Sequence, residues 1–146
     1  MREIIVPPLV NVDPDTNVTD LVVRQAAKAS NPALFSRLDA AGQWQDIRAT
    51  EFLADVAALA KGLMASGVAA GDRVGIMSRT RYEWALIDFA IWFAGAVSVP
   101  IYETSSPSQV AWNLGDSGAV AAFGESAHHE DIIRQAATSE GLTALR

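Results

Sequence analysis

Cysteine is absent from this chain of 146 residues, which excludes disulfides and thiolate metal sites and fits a reducing compartment. Basic side chains are scarce: 11 Lys and Arg face 17 Asp and Glu, for a net charge of −6. The densest basic stretch is Arg79-Thr80-Arg81, far too little for a surface that tracks nucleic-acid phosphates. Met1-Arg2-Glu3 opens the chain without the apolar segment of a secretory signal. The one long apolar stretch, Trp84–Ile101, is interrupted by Asp88, Ser98 and Pro100 and falls short of the about 20 residues a membrane helix needs. No transmembrane segment is therefore expected, and the expected location is cytoplasmic or peripheral at a membrane. Phosphate-binding signatures are missing as well. No G-x-x-x-x-G-K-[ST] occurs, and no G-x-G-x-x-G follows a strand-like run.

Half of the residues are hydrophobic, enough to bury a core in one domain or part of one. The stretch Gly71–Ser106 organises the rest. Arg73–Ser78 is a short apolar run that starts after the Gly71-Asp72 turn. Trp84–Ala94 is apolar on nearly all sides, with Asp88 as its only charge, and predicts a buried helix. Gly95 stops it, and Ala96–Tyr102 is a second strand-like run. Two apolar strands joined by a helix predict parallel strands with a right-handed crossover.

Around this unit, residues 1–16 carry Pro7, Pro8 and Pro14 and are expected to lie extended as a separate N-terminal segment. Asn17 or Thr19 can cap a helix over Asp20–Ala29, which Asn31-Pro32 stops. Ala33–Leu38 and Gln43–Ile47 flank Asp39-Ala40-Ala41-Gly42 and read as a hairpin. Thr50 is the expected cap of a helix reaching Ser66, with Phe52, Val56, Leu59 and Leu63 as its apolar stripe. Ser106-Pro107 opens another helix to about Leu114, ended by Gly115 and Gly118. Ala119–Phe123 is a third strand, and Ser126 caps a last helix over Ala127–Thr138. The fold class is α/β: a layered, mostly parallel sheet with helices on both faces.

Candidate chemistry is sparse. Gly115-Asp116-Ser117-Gly118-Ala119 imitates a nucleophile elbow, but its last position is Ala119 and it leads from helix to strand, the wrong way round. His128 and His129 are neighbours on a helix, so they cannot share a metal as an i, i+4 pair does; they are read as solvated. Glu83 and Asp88 face different ways, and Glu83 simply complements the helix dipole. No catalytic or metal-binding residue is assigned. Ligands on open parallel sheets collect at the carboxyl ends of the strands. Those ends carry 78–81, 102–106 and 124–125, and Tyr102 and Thr104 are the candidate edge of a substrate cleft.

The runs Trp44–Phe52, Ala60–Leu63, Gly67-Val68, Gly71–Val74, Glu83-Trp84, Gly95–Val97 and Val99–Thr104 together resemble the start of the AMP-forming adenylating enzymes. Arg81-Tyr82-Glu83-Trp84 and Pro100-Ile101-Tyr102-Glu103-Thr104 are most similar to long-chain fatty acid–CoA ligases. The resemblance covers nearly all of residues 17–125. It implies that 17–146 is the N-terminal part of a large AMP-binding domain, in a longer enzyme using fatty acid, ATP, Mg2+ and coenzyme A. In that family the phosphate loop, the acidic metal motif and the catalytic lysine lie further along, so this stretch is expected to be inactive scaffold that binds none of these cofactors. It is also expected to expose apolar surface and self-associate. Two alternatives stand beside this: a non-enzymatic α/β ligand or interaction module, and a relative acting on aryl or medium-chain acids or loading a carrier protein.

Overall fold

Asn17 is the residue that starts the first helix. Its side chain accepts the N–H groups of Thr19 and Asp20 while Asp20 answers its own N–H, a reciprocal capping box. The computed structural model describes residues 6, 7, 9, 10, 13–142 and 145. Half of the N-terminal segment expected to lie extended falls outside them; of the rest, Pro14-Asp15 forms a turn.

The helix α1 (Val18–Ala26) is followed by the antiparallel pair β1 (Ala33–Leu38) and β2 (Trp44–Arg48), then by α2 (Ala49–Ala65). The chain continues through β3 (Arg73–Met77), α3 (Tyr82–Phe93), β4 (Val97–Ile101), α4 (Pro107–Ser117), β5 (Ala121–Gly124) and α5 (Ala127–Ser139). The hairpin forms a two-stranded sheet of its own. The other three strands form a parallel sheet in the order β4-β3-β5.

Alternation along β3 divides the interior in two. Val74 and Ile76 face a cluster with Val22, Phe52, Val56 and Ile91, under α1, α2 and α3. Met77 faces the other way, with Ile101, Val110, Leu114, Ile132 and Ile133, under α4 and α5. The helices thus lie on opposite faces, as right-handed crossovers require when the chain steps outward to β4 and then back past β3 to β5. Gly75 is the tight spot of the second face. A Cβ there would lie 2.9 Å from Leu114 Cδ2 and 3.2 Å from Ala122 Cβ, so any side chain at this position forces its neighbours to shift.

The hairpin is fastened through aromatic rings. Phe35 reaches Phe52 at 4.7 Å between centroids, and Phe52 reaches Phe89 at 5.5 Å, joining β1, α2 and α3. Tyr82 completes this join: its hydroxyl donates to Asp55 at 3.2 Å, and the Arg37 guanidinium lies 4.9 Å over its ring. Burial, with Asp55 close by, pushes the Tyr82 hydroxyl up to about 12.

Several boundaries differ from expectation, each for a local reason. The residue at the α2 N-cap is Arg48, whose side chain caps nothing. Asn31 does that work from across the chain, taking the Thr50 N–H at 3.1 Å and donating to the Thr50 hydroxyl at 2.9 Å. α3 starts two residues early because Tyr82 is buried in the join just described. α4 runs through Gly115 and stops at Gly118, whose φ of +62° suits glycine. Arg73 then donates to the Ser117 and Gly118 carbonyls at 2.6 and 2.8 Å, satisfying the end of α4 from the start of β3.

The α3 helix is less enclosed than its composition predicts. Tyr82, Asp88, Ala90 and Ile91 are buried, whereas Trp84, Leu86, Ile87, Phe89, Trp92 and Phe93 are half-buried. Trp84 and Trp92 are therefore rim residues of the core in this structure.

Candidate functional site

Register places the three strand ends side by side. Met77 of β3 is paired with Ile101 of β4 on one side and Gly124 of β5 on the other. The loops 78–81, 102–106 and 124–125 therefore leave the sheet together. The chain steps outward in opposite directions from β3, so the end of the β3–β5 pair is the crevice where open α/β sheets place ligands.

Glu125 fills that crevice. Its amide donates to the Met77 carbonyl at 3.1 Å, continuing the ladder by one residue and holding the side chain over the β3–α3 loop. One carboxylate oxygen accepts the Arg79 amide at 2.9 Å. The other accepts the Arg79 guanidinium at 2.6 Å and the Arg81 guanidinium at 3.2 Å. The Glu125 side chain is only 8% exposed, whereas that of Arg79 is 70% exposed. Hydrogen bonds from the Arg79 guanidinium and then the Arg79 amide hold this carboxyl down at about 2. Nothing in the spacing of the sequence marks Glu125; only its place after a strand draws the eye.

A groove of about 260 Å³ opens between the ends of β3 and β4. Ser78, Thr80 and Trp84 form one wall, and Pro100, Tyr102 and Glu103 the other. Tyr102 stands in this wall with 81% of its surface exposed. Thr104 is exposed in the same loop and does not line the groove. A second cleft, about 420 Å³, lies between the hairpin and the start of α3, with Arg37, Trp44, Arg79, Arg81 and Tyr82 around it.

The remaining sequence candidates separate. Glu83 takes the Arg81 guanidinium at 2.5 Å in the first turn of α3. Asp88 is buried, and its Oδ1 has no hydrogen-bond partner. Burial raises its carboxyl above the ordinary value, with the Ser98 hydroxyl partly offsetting this. Ser117, of the imitation elbow, donates to the Asn113 carbonyl inside α4, so it acts as a helix-end side chain. His128 is exposed as expected, but His129 is not simply solvated. Its Nε2 lies 3.2 Å from the Glu103 carbonyl oxygen and its Nδ1 3.1 Å from the Ser126 hydroxyl. Among the described residues no three His, Asp or Glu side chains gather as a metal site. Nor is any helix among them long and apolar enough to cross a membrane.

Comparison with known proteins agrees with this geometry. Over all 146 residues the chain is 45% identical to the long-chain-fatty-acid–CoA ligase FadD15 of Mycobacterium bovis, of which it covers 24%. The chain spans about a quarter of the length of the curated relatives it matches along its whole length. Among solved structures, a benzoate CoA ligase from Burkholderia xenovorans superimposes with a TM-score of 0.73 at 18% identity, covering 90% of this chain and 25% of that one. ATP-bound MatB from Rhodopseudomonas palustris gives a TM-score of 0.69 at 23% identity, covering 87% of this chain and 24% of that one. The family model for AMP-binding enzymes matches residues 22–145. From β1 to α5, then, the layered sheet and its flanking helices are an N-terminal part of an adenylate-forming domain, and the chain belongs to the AMP-binding enzyme family.

Proposed function

We propose that this chain is the N-terminal part of a longer acid–thiol ligase that activates a long-chain fatty acid. In this reading the acid carboxylate attacks the α-phosphorus of ATP, releasing pyrophosphate and forming an acyl-adenylate. The thiol of coenzyme A then displaces AMP. The observation that carries the reading is the 45% identity to a long-chain-fatty-acid–CoA ligase, sustained from end to end of the chain.

Within that enzyme the chain supplies scaffold: three parallel strands, helices on both faces and one wall of the cleft, with Tyr102 and Thr104 at its edge. The residues present do not suit the phosphates or the metal. The sequence has no glycine-rich phosphate loop, and no cluster of three metal-ligating side chains exists among the described residues. ATP, Mg2+ and coenzyme A are accordingly partners of the longer protein, and no chemical step is assigned to a side chain of this one. The place of action in this reading is the cytoplasm or a membrane surface.

The test compares two proteins, the product of the full reading frame and the 146-residue chain, in a pyrophosphate-release assay with ATP and palmitate. Turnover by the first and none by the second is the expected result. Turnover by the chain alone, or a reading frame that stops at Arg146, overturns the proposal. The likeness to a benzoate ligase supports a second reading, with an aryl acid as substrate. A panel of aryl, medium-chain and long-chain acids on the longer protein decides between them.

A further inference from the structure

Both walls of the groove between β3 and β4 are tethered to a single place, the junction of β5 and α5. On the Ser78–Arg81 side the tether is Glu125. It takes the Arg79 amide and both guanidinium groups, and Ser78 Oγ lies 3.4 Å from the same carboxylate. On the Tyr102–Glu103 side the tether is His129. The Glu103 carbonyl can only accept, so Nε2 donates to it at 3.2 Å, while Nδ1 lies 3.1 Å from the Ser126 hydroxyl. Two side chains four positions apart thus hold two loops that are separated by more than twenty.

Neither tether lines the groove. Each sits behind the wall it holds. Loops of this kind are ordinarily the mobile part of an α/β domain, and their backbone takes a fixed path only where side chains pin it. Glu125 pins its loop strongly, because a carboxylate shielded from water binds cationic donors with charge-assisted hydrogen bonds. Without it Arg79 and Arg81, neighbouring like charges, repel one another and the wall has reason to open.

We infer that Glu125 and His129 are positioning residues, which set the width of the groove from behind and so govern substrate binding through Ser78, Thr80, Tyr102 and Glu103. The inference rests on the ligase reading for its substrate and on the two tethers for its mechanism. Small displacements of positioning groups are costly in enzymes, which gives the expected size of the effect.

The experiment uses E125Q, R79Q and H129A in the full-length protein, with KM for fatty acid, ATP and coenzyme A, kcat, and thermal melting measured together. R79Q loosens the same wall from an exposed position and leaves β5 untouched. E125Q and R79Q are expected to raise at least one KM by about five-fold or more while kcat stays within about two-fold. H129A is expected to shift the same KM. Melting temperatures that fall while all three KM values stay put mean that the tethers are only structural, and overturn the inference. If the wild-type protein turns over none of these substrates, the ligase reading fails instead. The tethers are then read by hydrogen exchange in the 146-residue chain. Faster exchange of the Arg79 amide in E125Q supports the Glu125 tether, and unchanged exchange overturns it.

Discussion

Asp88 and Glu125 are both carboxylates largely shielded from water, and their surroundings drive them in opposite directions. Asp88 sits in α3 with one oxygen unpartnered, so burial raises its carboxyl above 3.8. A raised value means that the protonated acid is favoured in the folded state. The group's contribution is favourable below about pH 3.8 and is lost as pH rises through the folded value. D88N removes the buried charge and is expected to stabilise the chain at pH 7. Urea denaturation should show that gain shrinking as the pH is lowered towards 4. Glu125 behaves conversely. Its carboxyl is held at about 2 by Arg79, against an ordinary value of 4.5. Its stabilisation is therefore present above about pH 4.5 and fades as pH falls towards 2. Melting curves of wild type and E125Q should differ most at neutral pH and converge in acid.

At the scale of elements, α4 is sensitive to single changes in β3. It lies against Gly75, where a new Cβ would meet Leu114 at 2.9 Å and Ala122 at 3.2 Å. G75V inserts a branched side chain into that contact and is expected to cost about 1–3 kcal/mol, measured by chemical denaturation. The C-terminus of α4 also depends on Arg73, whose fork satisfies two terminal carbonyls and places a positive charge at the negative end of the helix. R73M keeps the stem and loses both, and is expected to lower stability by about 1–2 kcal/mol. Both contacts fall within the C-terminal part of α4, from Leu114 to Gly118, and fasten that end of the helix to the first half of β3.

Over the whole molecule, apolar surface is left open on more than one side. Leu21, Val23, Trp44 and Trp112 are each about half exposed or more, and the rim of α3 adds Trp84, Ile87 and Phe93. Surface of this kind ordinarily meets another part of a protein. The 146-residue chain is therefore expected to self-associate, with light scattering that rises as concentration increases. A clean monomer at high concentration would count against the proposal that further chain covers these side chains in the longer ligase.

Periodicity made most of the elements legible. The spacing of Phe52, Val56 and Leu63 announces α2, and two β-branched runs around an apolar helix announce a parallel crossover, because burial of one face forces those patterns on any chain. Asn17, one of two candidates with Thr19, and Ser126 were readable as caps because their partners lie within three residues. The cap from Asn31 to Thr50 was not, since its partner stands 19 residues away. The same limit hid the site. Glu125 meets Arg79 and Arg81 across 46 and 44 residues, and His129 meets Glu103 across 26. Sequence by itself determined which segments bury which faces, a local matter of hydrophobic spacing. Only the tertiary structure decided which side chains meet at the ends of the strands, because that depends on the register that sets Met77 beside Gly124.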